Sequence, residues 1–535
     1  MDIITTVIDR DDVRFKESYD YHQTLSQELS WRYQQIKKGG GESAIEKHRL
    51  RGKLLARERI DRILDVGSPF LELMPLAAYA VYAEELPAAG VVVGIGKVHG
   101  SDCMFIATDA TVRGGSFYPL TIKKILRAQE IALQNALPCL YLLDSSSALP
   151  PLQAEVFADR DHFGRILYNQ IQLQQQQLTQ LAVVFGACMG EFSYIPKLCD
   201  VNLMVRNNGV ISLSTPSQVK AKTGEEVSSE ELGGSHLHTH LSGIAGLDAS
   251  SEEESFRQLR NIVEGAQLKK SSVDVDKLVA AGAVVEPLYD IDEIYGILPC
   301  KTSEQGEQYD VREVIARLVD GSCFQEYKPD YGNTLVCGWA TLFTFPLGIV
   351  ANNGILFAES ARKGQEFIKL CERRGFPLLF LQNTVGMAIG VKYEEAGMLK
   401  ESAGLLLEVA RATIPKITLI IGGSFGACNY LMCGRAFAPH FLWMWPNARV
   451  SMMDGEEAAL VLATIKQSAL SAKGEPLMSE EEILELQRPL LEKYEEEGRA
   501  YYSSARLWDD GIIRIEDGRK VLALSLAIMA NKNKR

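Results

Sequence analysis

Apolar positions along the chain recur as one unit: an amphipathic helix, a proline, a short apolar run, then small or polar residues. TIKKILRAQEIALQNALP (121–138) carries apolar residues at helical spacing and leads into the run CLYLL (139–143). GQEFIKLCERRG (364–375) leads in the same way into PLLFLQ (377–382). Continuous apolar runs between helices predict strands covered on both faces, so these are helix–strand units of a parallel or mixed sheet. AGVVVGIGKVHGSDCMFIATD (89–109) instead predicts a hairpin, two β-branched strands around a His-Gly-Ser-Asp turn.

The pattern is stated twice. LPCLYLLDSSSA (137–148) parallels FPLLFLQNTVGM (376–387), an interval of 239 residues from Pro138 to Pro377. VVFGACMGEFSY (183–194) parallels LIIGGSFGACNY (419–430), with Gly190 against Gly426 and Tyr194 against Tyr430, an interval of 236. A duplicated α/β domain whose halves face one cleft accounts for both. Turns that follow buried strands expose backbone N–H groups at helix starts, where developing negative charge is stabilised.

Elsewhere the pattern is more polar. Residues 13–66 predict two helices around the glycine break at 39–41. A polar stretch over roughly 247–310 (SSEEES, KKSSVDVDK) marks the domain boundary, giving an N-terminal domain over 1–275 and a C-terminal domain over 276–535. The segment 474–500 predicts a charged helical hairpin, equally readable as a solvated face, a subunit contact or a functional element.

Composition narrows the classes. A length of 535 residues calls for about two to four domains. No apolar stretch reaches the roughly 18–20 residues a membrane helix needs. A formal charge of −13 argues against nucleic acid as a partner. The start MDIITTVIDRDD is acidic and lacks a signal pattern, and ten cysteines are scattered with no Cys-x-x-Cys pair, which predicts reduced thiols in the cytoplasm.

Several side chains are candidates for chemistry. Ser145, Ser146 and Ser147 either bind a carbonyl or bond their own turn. His236, His238 and His240 alternate, so on a strand all three share one face and present a metal-ligand set, against the plainer reading of a turn after Gly233-Gly234. His162 buttresses a helix start, and Cys428 is a nucleophile or a small buried filler.

The words around these turns resemble a known family. KHRLRGKLLARERIDRILDVGSPFLEL (47–73), DATVRGGSFYPLTIKKILRAQEIA (109–132), DRDHFGRI (159–166), TGEEVSSEELGG (223–234), ANNGILFAESARKG (351–364), LLFLQNTVGM (378–387) and PKITLIIGGSFGA (415–427) resemble the carboxyltransferase β subunit of biotin-dependent acyl-CoA carboxylases. The methylcrotonyl-CoA type is the nearest match, with the geranyl-CoA type next. The resemblance implies an α/β fold of two tandem crotonase-like domains, each a β-β-α spiral, in a homohexamer. Its active sites form where the N-domain of one subunit meets the C-domain of another. It implies no metal, biotin carried on a partner biotin carboxylase/biotin carrier α subunit, and a coenzyme A thioester as substrate. This chain shows no ATP-binding domain and no Met-Lys-Met biotinylation site.

The resemblance also implies where the chemistry sits. The acyl-CoA side maps to Gly190, Glu191 and Phe192, with Arg113, Gly114, Gly115, Lys123, Lys124, Ser145, Ser146, Ser147 and Tyr194 around the thioester and its nucleotide. The biotin side maps to Gly426, Ala427 and Cys428, with Asn383, Thr384, Val385 and Gly386 nearby. The family shows Gly-Gly where this chain has Glu191-Phe192, and a Gly where Cys428 and Leu431 stand, so Leu431 narrows the biotin pocket. A carboxylate or a ring at 191–192 stands where the acyl group belongs and restricts φ. Three expectations follow. Ordinary carboxyl transfer survives with Glu191 turned away; or Glu191, desolvated, serves a biotin-independent acyl-CoA or acyl-carrier-protein reaction as general acid or base; or the chain is an inactive paralogue.

Overall fold

The computed structural model describes residues 2–145, 150–271, 273–300 and 309–531. They form two compact units. One comprises residues 31–274, 505–507 and 527–531; the other comprises residues 2–30, 275–504 and 508–526. The first thirty residues therefore group with residues 275–504, because the strand Asp2–Ile3 pairs antiparallel with Cys323–Glu326 and extends that sheet.

In the first unit a seven-stranded sheet runs Leu247–Ala249, Val201–Val205, Gln180–Val184, Cys139–Leu143, Ser101–Thr108, Val91–Val98, Leu71–Leu73 from edge to edge. Val91–Val98 and Ser101–Thr108 form the antiparallel hairpin the sequence predicts, and the strands from Ser101–Thr108 to Leu247–Ala249 are parallel. In the second unit Leu335–Leu342 and Phe345–Asn352 make the matching hairpin, followed by the parallel strands Leu378–Gln382, Lys416–Ile420, Phe441–Met444 and Gly511–Ile512. The β-β-α spiral is thus built twice, giving the two tandem crotonase-like domains.

Local chemistry explains the repeat. The helix Pro119–Asn135 opens on a proline, ends at the left-handed Ala136, and is followed by Pro138 before the strand. The helix Ala358–Arg374 ends at the left-handed Gly375 and is followed by Pro377. Each first strand is buried over its whole length because helices cover both faces of the sheet.

Two expectations change. The charged N-terminal stretch forms three helices, Val13–Ile36, Glu42–Leu50 and Ala56–Ile63, because the chain also breaks at Arg51-Gly52. The segment 474–500 holds one long helix, Glu480–Glu497, and not a hairpin of its own: it packs on Gly455–Lys473, with the chain leaving that helix at Gly474. The polar stretch after residue 247 contains an amphipathic helix, Glu252–Gly265, that buries Phe256, Leu259 and Val263.

Candidate functional site

Past its paired strands each unit makes the same turn, hydrogen bond for hydrogen bond. In the first, N–H groups of Phe185, Ser145 and Val210 donate to the carbonyls of Leu143 (2.8 Å), Ala187 (3.1 Å) and Gly186 (3.0 Å). In the second, those of Ile421, Thr384 and Arg449 donate to Gln382 (2.9 Å), Gly423 (2.8 Å) and Gly422 (3.0 Å). A short strand follows in each, Ala187–Met189 against Val210–Ser212 and Gly423–Phe425 against Arg449–Ser451. Each short strand ends at a glycine in the left-handed region, Gly190 with φ +67° and Gly426 with φ +53°. One helical turn begins directly after, Gly190–Ser193 and Cys428–Leu431. Tyr194 and Tyr430 stand at the same step, both half-exposed. The first N–H groups of a helical turn have no partner within the helix, so two such turns are two candidate oxyanion cradles.

Glu191 and Phe192 divide between surface and core. Phe192 is 2 % exposed, and its ring centroid lies 4.1 Å from that of Phe117 and 4.5 Å from that of Phe163. This overturns the expectation that an aromatic ring fills the acyl space: the ring is core packing beneath the turn. Glu191 is exposed, so the desolvation that a general acid–base role demands of it is missing. Gly190 keeps its left-handed conformation beside them, and the Ser193 hydroxyl donates to its carbonyl at 2.6 Å.

In the second turn Cys428 and Leu431 are 3 % and 4 % exposed and belong to one apolar core with Phe380 and Leu405. Leu431 therefore does not narrow the turn, and the Cys428 side chain is a buried filler. Asn383 accepts from the Gly423 N–H (2.9 Å) and donates its own N–H to Asn352 Oδ1 (3.2 Å). Thr384 is buried, and its hydroxyl oxygen accepts from the Phe425 N–H at 2.7 Å. Thr384 therefore braces the turn from within instead of projecting from it. Val385 and Gly386 are half-buried beside it.

The first unit also holds a cleft of about 710 Å³, walled by residues 39–41, 77–80, 85–88 and 111–113, with Trp31, Arg32 and Lys38 at its side. Arg113 lines it and reaches Glu84 at 3.3 Å; Gly114 and Gly115 continue the same turn. Arg32 lies over the Tyr79 ring, its guanidinium carbon 5.0 Å from the centroid. Four non-glycine residues of this wall are left-handed: Ala78, Ala80, Ala88 and Arg113.

The two lysines on the following helix part company. Lys123 is exposed, does not line the cleft, and donates to the Arg506 carbonyl at 2.8 Å. Lys124 is fully buried, which excludes the phosphate contact expected of it, and donates to the carbonyls of Ala88 (3.0 Å) and Val91 (2.8 Å). Burial pulls its ammonium down to about 7, against the opposing pull of Glu72.

Ser145 is buried beside Asp144, while Ser146 and Ser147 lie outside the described residues. The three histidines occupy a helical turn, Leu237–Leu241 with His236 before it, and not a strand. His238 is buried, with one ring nitrogen 2.5 Å from the Ile211 carbonyl and the other 2.7 Å from the Ser242 hydroxyl; His236 and His240 stack at 4.6 Å. They do not converge as a ligand set. His162 accepts from the Asp159 N–H (3.2 Å) ahead of the helix Phe163–Gln175, the buttress expected of it.

Known proteins are similar to this chain over nearly all of its length. Residues 47–535 match the family described as "Carboxyl transferase domain". The mitochondrial methylcrotonoyl-CoA carboxylase beta chain of Dictyostelium discoideum is 48% identical over 99% of this chain and 89% of its own length. The biotin-dependent 3-methylcrotonyl-coenzyme A carboxylase beta1 subunit of Mycobacterium tuberculosis is 50% identical over 96% of this chain and 95% of its own. Among solved structures, the geranyl-CoA carboxylase beta subunit of P. aeruginosa superposes with a TM-score of 0.90 at 33% identity, covering 100% of this chain and 98% of that one.

Proposed function

Because the chain belongs to the carboxyl transferase domain family, we propose that it is the carboxyltransferase β subunit of a biotin-dependent acyl-CoA carboxylase of the methylcrotonyl-CoA type. The observation that carries this reading is the duplicated glycine turn, with Gly190 at the start of one helical turn and Gly426 two residues before the other. Carboxyl transfer to a thioester builds negative charge at two oxygens, the enolate oxygen of the acceptor and the ureido oxygen of the donor. One preorganised set of amides for each is what the repeat supplies.

On the acyl side, the amides of Glu191 and Phe192 face the thioester carbonyl, and the cleft beside Arg113 receives the coenzyme A nucleotide, whose phosphates need a cation. On the biotin side, the amides of Ala427 and Cys428 serve the ureido oxygen. The residues fit a small planar ring: the crest is Gly426-Ala427, and a Cβ on Gly426 would stand 2.9 Å from the Met452 carbonyl, so that position stays bare. Biotin, carried on a partner α subunit, supplies the activated carboxyl group. With biotin bound, the acceptor carbon would give up its proton and take the carboxyl group, the Glu191 and Phe192 amides holding the charge on the acceptor oxygen and those of Ala427 and Cys428 the charge left on the donor.

We propose a cytoplasmic location, on ten scattered cysteines with no Cys-x-x-Cys pair, and a homohexamer as the working assembly on the family resemblance. Among the described residues, no helix is long and apolar enough to cross a membrane.

The test is reconstitution. With a biotinylated α partner, ATP and bicarbonate, the protein should carboxylate 3-methylcrotonyl-CoA, and it should do nothing to the thioester alone. Turnover of acyl-CoA without a biotinylated partner would refute the reading. Since Glu191 is exposed, Glu191→Gln should change kcat by less than about threefold; the 10²–10⁴-fold loss typical of a general base would restore the biotin-independent alternative.

A further inference from the structure

Residues 88–90 adopt three left-handed conformations in a row: Ala88 at φ +51°, Ala89 at +54° and Gly90 at +68°. That backbone is costly for an L-residue, so two adjacent alanines hold it only where the surroundings overdetermine it. Ala88 forms part of the cleft wall. The strained stretch begins directly after Pro87 and ends where the strand Val91–Val98 enters the sheet.

We propose that Lys124 is the positioning residue of the coenzyme A cleft: its buried ammonium ties the carbonyls of Ala88 and Val91 together and so holds the left-handed wall in its binding shape. This rests on the assignment of the cleft to the coenzyme A nucleotide. The two hydrogen bonds, 3.0 Å to Ala88 and 2.8 Å to Val91, bracket the strained residues. Thr121, one helical turn earlier, donates to the Ala89 carbonyl at 2.7 Å, so one face of a single helix engages three carbonyls of residues 88–91. The ammonium is fully buried and Lys124 is not among the residues that line the cleft. A buried charge normally comes with an ion-pair partner. Here it is spent on backbone carbonyls, with the Glu72–Arg57 pair as its charged surroundings. An unbranched apolar side chain would fill the same volume more cheaply. What a terminal amine supplies and an apolar side chain does not is N–H donors for two carbonyls that point to one place.

The experiment uses the full-length protein and free coenzyme A as the probe, with Kd from calorimetry and steady-state kinetics in the reconstituted carboxylase. Lys124→Met should raise Kd for coenzyme A and KM for the acyl-CoA by at least tenfold while leaving kcat at saturation within about twofold. Lys124→Gln, which keeps N–H donors, should fall between. Adding Ala88→Gly and Ala89→Gly to Lys124→Met should recover part of the affinity, because glycine enters the left-handed region without strain. A merely structural lysine would instead lower Tm and kcat with no glycine rescue, and that result overturns the proposal. If Lys124→Met does not fold, Lys124→Gln and its glycine-rescued form decide it. Arg113→Ala separates the two levels. Weaker binding in Arg113→Ala with none in Lys124→Met sinks the proposal alone, whereas wild-type affinity in Arg113→Ala sinks the cleft assignment beneath it.

Discussion

Gly426→Val should lower kcat for acyl-CoA carboxylation by about 10²–10³-fold, the size of effect seen when one oxyanion donor is lost. Two costs fall on the same peptide. Gly426 sits at φ +53°, and its first added carbon would approach the Met452 carbonyl to 2.9 Å. A β-branched residue tolerates neither, so the chain relieves the strain by rotating the peptide that carries the Ala427 N–H. That N–H is the group the biotin side is proposed to need. Gly190→Ala is the internal comparison: at φ +67° a Cβ there meets nothing within 4 Å, so its cost is the left-handed strain alone, about 1–2 kcal/mol. Activity should fall far less there. Rates measured at saturating acyl-CoA with the biotinylated partner, and circular dichroism to establish folding, decide it. A folded Gly426→Val protein with wild-type kcat would remove the second turn from the chemistry.

The repeat was readable in the sequence because a buried parallel strand must be apolar along its length. The turn after it must place small residues where strand, short strand and helix meet. Pro138 and Pro377, Gly190 and Gly426, and Tyr194 and Tyr430 mark those points in both halves. The cleft was not readable. Left-handed backbone is normally foreseen from Gly or Asn, and here Ala78, Ala80, Ala88 and Ala89 adopt it under the pull of distant contacts such as the Lys124 ammonium. A signal for Lys124 itself did exist. It lies on the stripe of Thr121, Ile125, Ala128 and Ala132, all buried, whereas its neighbour Lys123 falls off it. The resemblance places both lysines at the nucleotide without telling the two faces of their helix apart. For the histidines the plainer of the two readings, a turn after Gly233-Gly234, lies nearer the structure: alternation puts side chains on one face only on a strand, and their segment is helical. Phe192 was misplaced because the family comparison supplies a backbone position, while the direction of a ring is set by partners far along the chain, Phe117 and Phe163.

Arg59→Leu should destabilise the first unit by roughly 3–5 kcal/mol, the penalty for breaking a buried ion pair from one side. Arg59 is 1 % exposed, donates to Glu252 at 2.9 and 2.6 Å and to Asp144 at 3.1 Å, and has its guanidinium carbon 4.2 Å from the Phe185 ring centroid. Lys53 completes the set with 3.0 and 3.1 Å contacts to Asp144. Without Arg59, Asp144 keeps Lys53 while the buried Glu252 loses its cation and keeps, among the described residues, only the Leu54 N–H at 3.4 Å. The effect reaches the proposed acyl site because Asp144 closes the strand Cys139–Leu143 and is followed by Ser145, whose N–H pins the next strand through Ala187. Asp144→Asn should cost less, since the second unit uses Asn383 at the equivalent point and closes its turn with neutral hydrogen bonds. Arg49→Ala sets the floor: its pair with Glu58 is half-exposed and should be worth under about 1 kcal/mol. Unfolding of a chain with two units need not be one transition, so the measurement is native-state hydrogen exchange at the amides of Cys139–Leu143 together with kcat. Faster exchange and a lower kcat in the order Arg59→Leu, Asp144→Asn, Arg49→Ala is the expected result. Exchange in Arg59→Leu no faster than in Arg49→Ala would mean that the four charges neither hold the strand end nor position the turn beyond it.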